Sequence, residues 1–197
     1  MNREQLAHVV RAAATITGDG DIVIIGSQSI LGTADVGSLP EEATMSMEAD
    51  IAFRDDIDAA KADAVDGAIG ELSPFHEMYG YYAQGVEIST AVLPNGWEDR
   101  AEILNRSDSR PGYARCLEPH DLVVSKLVAG RHKDIEFATA LIESEFVDSA
   151  TLHERAEMLD RPNAVVRRVH DLITRCTPGS NPKVQPEHVD DRSPFEY

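Results

Sequence analysis

Positive charge is scarce in this chain: 18 lysines and arginines stand against 35 aspartates and glutamates, a net charge of −17. A polyanion is gripped by a basic footprint, so this balance excludes broad, non-specific capture of nucleic acid. It leaves room for a local basic groove, for which Arg100, Arg106, Arg110 and Arg115 are the candidates; the same four serve equally as solvated loop charges. Cysteine is scarce too. Cys116 and Cys176 lie far apart and form no metal-binding spacing, which excludes a disulfide framework and fits two free thiols in a reducing cytoplasm. No apolar run approaches the twenty or so residues of a membrane span, and residues 1–10 are polar and amphipathic, so neither a span nor a signal peptide is expected. Internal repeats are absent, and the histidines are too scattered for zinc. What is present describes an ordinary soluble protein: 197 residues, 42% hydrophobic and 27% charged, enough for one or two domains with a respectable core.

Residues 4–16 carry Leu6, Val9, Val10, Ala13 and Ile16 at helical spacing, stopped by Gly18 and Gly20, which predicts a helix covering a sheet. Residues 57–72 repeat Ile57, Ala60, Ala64, Ala68 and Leu72 at three- to four-residue steps, a second helix that Asp55 or Asp56 would cap. Phe75, His76, Tyr79, Tyr81 and Tyr82 follow, an aromatic run able to stack a base or simply to pack on the sheet. Strands are expected at 86–93, 100–106 and 113–117, with turns at 94–97 and 107–112. Pro119 opens a helix, and the helical pattern continues through 133–142, 151–159 and 164–176. From Thr177 onward four prolines and no apolar period predict an extended or disordered tail. The layout is α+β: a mixed sheet with flanking helices in 1–117, a helical part in 118–176, and the tail in 177–197.

The stretch that organises the rest runs from Asp21 to Asp56. Ile22, Val23, Ile24 and Ile25 form a short β-branched run that stops at Gly26 and Ser27, the pattern of a buried strand entering a helix. Gly26 lets the backbone approach a ligand, and Ser27 offers a hydroxyl beside free amides, a combination able to hold a phosphate. A loop at 33–44 leads to a second strand at 46–53. Its alternation puts Glu48 and Asp50 on one face, roughly 7 Å apart along the backbone, where two carboxylates can converge on a divalent cation. In the helix after Pro119, Lys126 sits at the edge of the apolar stripe of Leu122, Val123, Leu127 and Val128. Such a lysine snorkels, or it stands as a fixed cation for a triphosphate.

Gly26-Ser27, twenty residues, then an acid-x-acid strand resembles the nucleotidyltransferase superfamily of DNA polymerase β, and within it the AbiEii-like toxin enzymes of bacteria. Residues 118–134, from Glu118-Pro119 through Lys126 to Lys133-Asp134, look like the lysine helix and following Lys-Asp element of that group. The resemblance covers roughly residues 20–140 and is closest to a small branch of the superfamily. It implies one or two Mg²⁺ held by Glu48 and Asp50, with a third acid from the strand at 86–93, where Glu87 is the only one and has no acid two residues on. It implies that Ser27, the amides after Gly26, and Lys126 hold the phosphates of a nucleoside triphosphate, and that Asp134 belongs to the active site; Asp134 is equally a helix N-terminal charge or a partner for Arg131.

The implied activity is Mg-dependent transfer of a nucleoside monophosphate to an acceptor hydroxyl. The resemblance implies RNA, such as a transfer RNA, as that acceptor and the role of a toxin paired with an antitoxin; a protein hydroxyl is the alternative acceptor that agrees better with the acidic surface. Two departures motivate a competing expectation, a catalytically inactive relative that binds a nucleotide or a partner. Glu48 stands where the family usually has aspartate, and Glu87 lacks support.

Overall fold

The computed structural model describes residues 1–32, 37, 39–104 and 111–179. Five strands form one mixed sheet: β1 (Asp21–Ile24), β2 (Glu48–Phe53), β3 (Tyr82–Gly85), β4 (Glu102–Ile103) and β5 (Tyr113–Cys116), in the order β3-β2-β1-β5-β4. The β-branched run lies at the centre. β1 pairs antiparallel with β2 and parallel with β5, while β2–β3 is parallel and β4–β5 antiparallel. Ile22, Val23 and Ile24 are fully buried, as continuous apolar strands of this kind are when both faces are covered.

Helix α1 (Arg3–Thr17) starts in a capping box, Asn2 accepting from the Gln5 amide while the Gln5 side chain accepts from the Asn2 amide. It packs with α3 (Ala60–Ile69), and α3 lies along β2 and β3. A 3₁₀ turn, Ser27–Gly32, follows β1, and the N–H of Leu117 donates to Ser29 Oγ, tying that turn to the exit from β5. After α2 (Glu41–Thr44), α4 (Pro74–Tyr79) and α5 (Trp97–Arg100), four helices form the C-terminal part: α6 (Pro119–Ala129), α7 (His132–Glu143), α8 (Ser149–Glu157) and α9 (Asn163–Cys176). They pack on one another, and α6 reaches the sheet through the Ser27–Gly32 turn. One apolar cluster runs from Met1 to Cys176 through both parts. Among the described residues no helix is long and apolar enough to cross a membrane. Both cysteines are free and buried, and burial pushes the Cys116 thiol up to about 12.

The mixed sheet, its flanking helices and the helical C-terminal part agree with the α+β expectation. Several local expectations are corrected. The helix expected over 57–72 begins at Ala60, because the Asp56 carboxylate accepts the N–H of Lys61 at 2.7 Å and of Ala62 at 3.0 Å while Asp58 and Ala59 take positive φ. Its buried face is therefore Ala62, Val65 and Ile69, and Ile57 and Leu72 are each 82% exposed. The strand expected at 86–93 ends before it starts. β3 stops at Gly85, whose N–H is captured by Asp66, and its last link to β2 is the Val86 N–H on the Ile51 carbonyl; a 3₁₀ turn, Ile88–Thr90, follows.

The aromatic run is split. Phe75, Tyr79 and Tyr81 cluster with His8 of α1, which is packing, whereas Tyr82 points to Glu48. The basic groove does not form from the arginines that are described: Arg100 is bidentate on Asp121 at 2.8 and 3.0 Å, and Arg115 donates to Asp21 at 3.1 Å. Arg106 and Arg110 lie outside the described residues, as do 180–197 of the expected tail and 33–36 of the expected loop.

Asp121 is fully buried, and Arg155 Nε sits 3.3 Å from its other side. Removing that carboxylate strands two arginines, whereas the half-exposed Arg115–Asp21 pair is screened by water. Urea unfolding should show Asp121→Ala destabilised by about 3 kcal/mol and Arg115→Ala by less than about 1 kcal/mol.

Candidate active site

The site begins where β1 ends. The N–H of Ile25 donates to the Asp50 carbonyl at 3.2 Å, which brings Gly26 beneath the Asp50 side chain. A methyl group on Gly26 would lie 1.5 Å from Asp50 Oδ2, inside the carboxylate. The glycine is needed there because only a hydrogen leaves room for the acid. Glu48, two residues earlier on β2, shares the face, and its charge acts on Asp50. Burial, reinforced by the neighbouring Glu48 charge, raises the Asp50 carboxyl to about 6, against the pull of Lys126 and Lys133.

Lys126 comes from the last turn of α6. Gly130 ends that helix in the left-handed conformation, the chain reverses, and Arg131 and Asp134 open α7. Asp134 is 1% exposed; Arg131 grips it through Nε at 2.6 Å and a terminal nitrogen at 3.1 Å, and Lys126 Nζ lies 3.6 Å from its Oδ1. Burial alone would raise Asp134, but the Arg131 hydrogen bonds and the Lys126 charge outweigh it and hold the carboxyl below its ordinary value. Lys126 is lowered by burial, with Asp134 and Asp50 opposing the shift. The ammonium thus spans two acids, one saturated by arginine and one not.

Two cavities meet at Lys126. One of about 910 Å³ lies between the α2 segment and α7, bordered by Ser27, Met45, Lys126, Lys133 and Asp134. The other, about 480 Å³, is bordered by Gly26, Asp50, Thr90, Ser125, Lys126 and Arg131. Both are of the size that holds a small ligand. A cation at the acids and phosphates against Ser27, Lys126 and Lys133 would be neighbours.

Of the residues singled out from sequence, Gly26, Ser27, Glu48, Asp50 and Lys126 are brought to one place. Glu87 is not: it stands exposed ahead of the Ile88–Thr90 turn, its carboxylate accepting from Ser89, and it is not among the groups that shift Asp50. The expected triad of Glu48, Asp50 and Glu87 does not assemble, and among the described residues no group of three or more histidines, cysteines or acids could hold a metal. Both Asp134 oxygens are engaged by cations, so it orients Lys126 and Arg131. Three roles escape the sequence: that of Tyr82, named there only within the aromatic run, whose O–H donates to Glu48 Oε2 at 3.1 Å; that of Gln84, register partner of Asp50; and that of Lys133, whose charge reaches Asp50. The first two follow only from the β2–β3 register. Lys133 had a signal, its place beside Asp134 in the Lys-Asp element.

A mixed sheet whose second strand carries an acid pair, backed by the glycine that follows the adjoining central strand and faced by a helical lysine, is a nucleotidyltransferase-like arrangement. Residues 4–172 match the family model described as "Nucleotidyltransferase of unknown function (DUF6036)", and the chain belongs to that family. No curated protein and no solved structure matches the chain. The match supports the nucleotidyltransferase superfamily and does not reach the AbiEii-like branch.

Two predictions follow from the acid pair. Gly26→Ala must displace Asp50, so it should abolish transfer while leaving far-ultraviolet circular dichroism unchanged. Asp50 is raised to about 6 in the fold, above its ordinary 3.8, so its ionisation in the fold weakens stability as pH rises through that window. In metal-free buffer Asp50→Asn should be more stable than wild type at pH 8, by up to about 3 kcal/mol, and equal to it near pH 4.

Proposed function

We propose that this protein is a metal-dependent nucleotidyltransferase that moves a nucleoside monophosphate from a nucleoside triphosphate to an acceptor hydroxyl. The observation that carries the reading is the Glu48–Asp50 pair seated on Gly26 and faced by Lys126. Two carboxylates on one face, with burial and the Glu48 charge raising Asp50, are a costly arrangement without a cation, and an all-oxygen donor pair suits Mg²⁺, which binds through one or two carboxylates plus substrate phosphates. Glu48 and Asp50 would hold the ion, which supplies Lewis-acid stabilisation of the reacting phosphate. Ser27 and the backbone after Gly26 would hold the β- and γ-phosphates at the edge of the larger cavity. Lys126, kept in place by Asp134, would offset the charge that develops on the leaving pyrophosphate. The acceptor oxygen bonds to the α-phosphorus, the bond from the α-phosphorus to the bridging oxygen breaks, and the hydroxyl proton leaves to solvent.

A protein hydroxyl fits as acceptor better than RNA. The net charge is −17, and Arg100 and Arg115 are occupied by Asp121 and Asp21. The resemblance to AbiEii-like toxins supports the remainder of the proposal: a bacterial cytoplasmic toxin with an antitoxin protein as partner. One observation favours a second reading, an inactive nucleotide-binding relative: Gln84, not an acid, is the register partner of Asp50 on β3.

Label from each α-labelled nucleoside triphosphate should pass, with Mg²⁺, to a protein rather than an RNA fraction. Asp50→Ala should abolish incorporation, and Lys126→Ala should reduce it by about 10²–10³-fold. Nucleotide binding without incorporation would select the inactive relative.

A further inference from the structure

Glu48 is the first residue of β2, and a glutamate there carries a longer, freer arm than an aspartate would. A carboxylate on such an arm binds a cation weakly unless something fixes it. The β2–β3 register pairs Glu48 with Tyr82, and the Tyr82 O–H donates to Glu48 Oε2 at 3.1 Å. The tyrosine ring is itself held. It lies 4.6 Å from the ring of His76, inclined at 43°. His76 is fastened in turn: its Nδ1 accepts the Leu72 N–H at 3.0 Å, and its own N–H donates to Ser73 Oγ, the cap of α4. A chain of contacts thus runs from the cap of α4 through His76 and Tyr82 to the acid pair. Tyr82 and Glu48 also border the same small cavity of about 280 Å³, at the edge of the site.

We infer that Tyr82 is a positioning residue for the cation site: its hydroxyl fixes the Glu48 carboxylate from the strand that contributes no acid, so that a pair of acids suffices. The inference rests on the metal-dependent reading above. Tyr82 occupies one oxygen of Glu48 and leaves the other for the ion beside Asp50. It touches neither nucleotide nor acceptor, so its effect appears in metal affinity and not in the chemical step.

The test is Mn²⁺ binding by titration calorimetry on the full chain without nucleotide, for wild type, Tyr82→Phe, Glu48→Gln and the double variant. Tyr82→Phe should weaken Mn²⁺ binding about tenfold. Its melting temperature in chelator should stay close to that of wild type. In the Glu48→Gln background the same change should have no further effect, since the carboxylate it positions is gone. At saturating Mg²⁺ the kcat of Tyr82→Phe should return to wild type. If wild type binds Mn²⁺ and Tyr82→Phe binds it equally well, or if the two changes are additive, the positioning role is wrong and the transferase reading stands. If wild type binds no Mn²⁺ without nucleotide, the positioning role is wrong, and the label-transfer assay alone decides the transferase reading.

Discussion

The contact on which the rest depends is the one between Gly26 and the carboxylate of Asp50. The end of β1 gives up its side chain, and the acid of the neighbouring strand occupies the space, so closely that one added carbon would fall 1.5 Å from its oxygen. This fit requires β1 and β2 to be adjacent and antiparallel in the observed register, with Ile24 opposite Ile51 and the Ile25 amide on the Asp50 carbonyl. The buried β-branched run of β1 holds that register, because a slip by one residue would turn the acids into the core. Apolar packing thereby fixes the position of a charged group.

Around that fixed acid the protein arranges opposite charges in order of freedom. The exposed Arg131 and the buried Asp134 neutralise each other at the start of α7, which leaves Lys126 held but not consumed. Lys126 borders both cavities and acts on Asp50 from the other side. Like charges at the acids and a poised cation nearby form an unbalanced local field, which a metal and a triphosphate together would balance. Elsewhere ion pairs such as Asp121 with Arg100 and Arg155 join elements.

The sequence made the centre of the fold legible because its signals there are of one kind. The β-branched run, the glycine that ends it, the acid alternation of β2 and the capped helices each point to a single structure, in which Gly26, Ser27, Glu48, Asp50 and Lys126 lie near one another. The function of Gly26 was legible only in part: it provides close approach, but to Asp50. What failed was phase and edge. Alanines at several spacings point to the face of Ile57, Ala60, Ala64, Ala68 and Leu72, whereas with Asp56 accepting the first amides the buried face of α3 is Ala62, Val65 and Ile69. The β-branched residues at 86–93 read as a strand, yet the edge strand is the aromatic segment before them, and strand pairing is a long-range choice that no local pattern records. That single misplacement put forward Glu87 and hid Tyr82 and Gln84. Asp134 is open between two roles in the sequence because both need the same residues, and the structure joins them: Arg131 grips the carboxylate, which also faces Lys126.

The measurement that bears most directly on the central claim is a crystal structure grown with Mn²⁺ and a triphosphate whose α–β bridge is a non-hydrolysable methylene, with anomalous scattering recorded for manganese. The account predicts a manganese peak between the Glu48 and Asp50 carboxylates, with the phosphate chain against Ser27 and Lys126. Manganese located away from those two acids, or phosphates bound where neither Ser27 nor Lys126 reaches them, would contradict it.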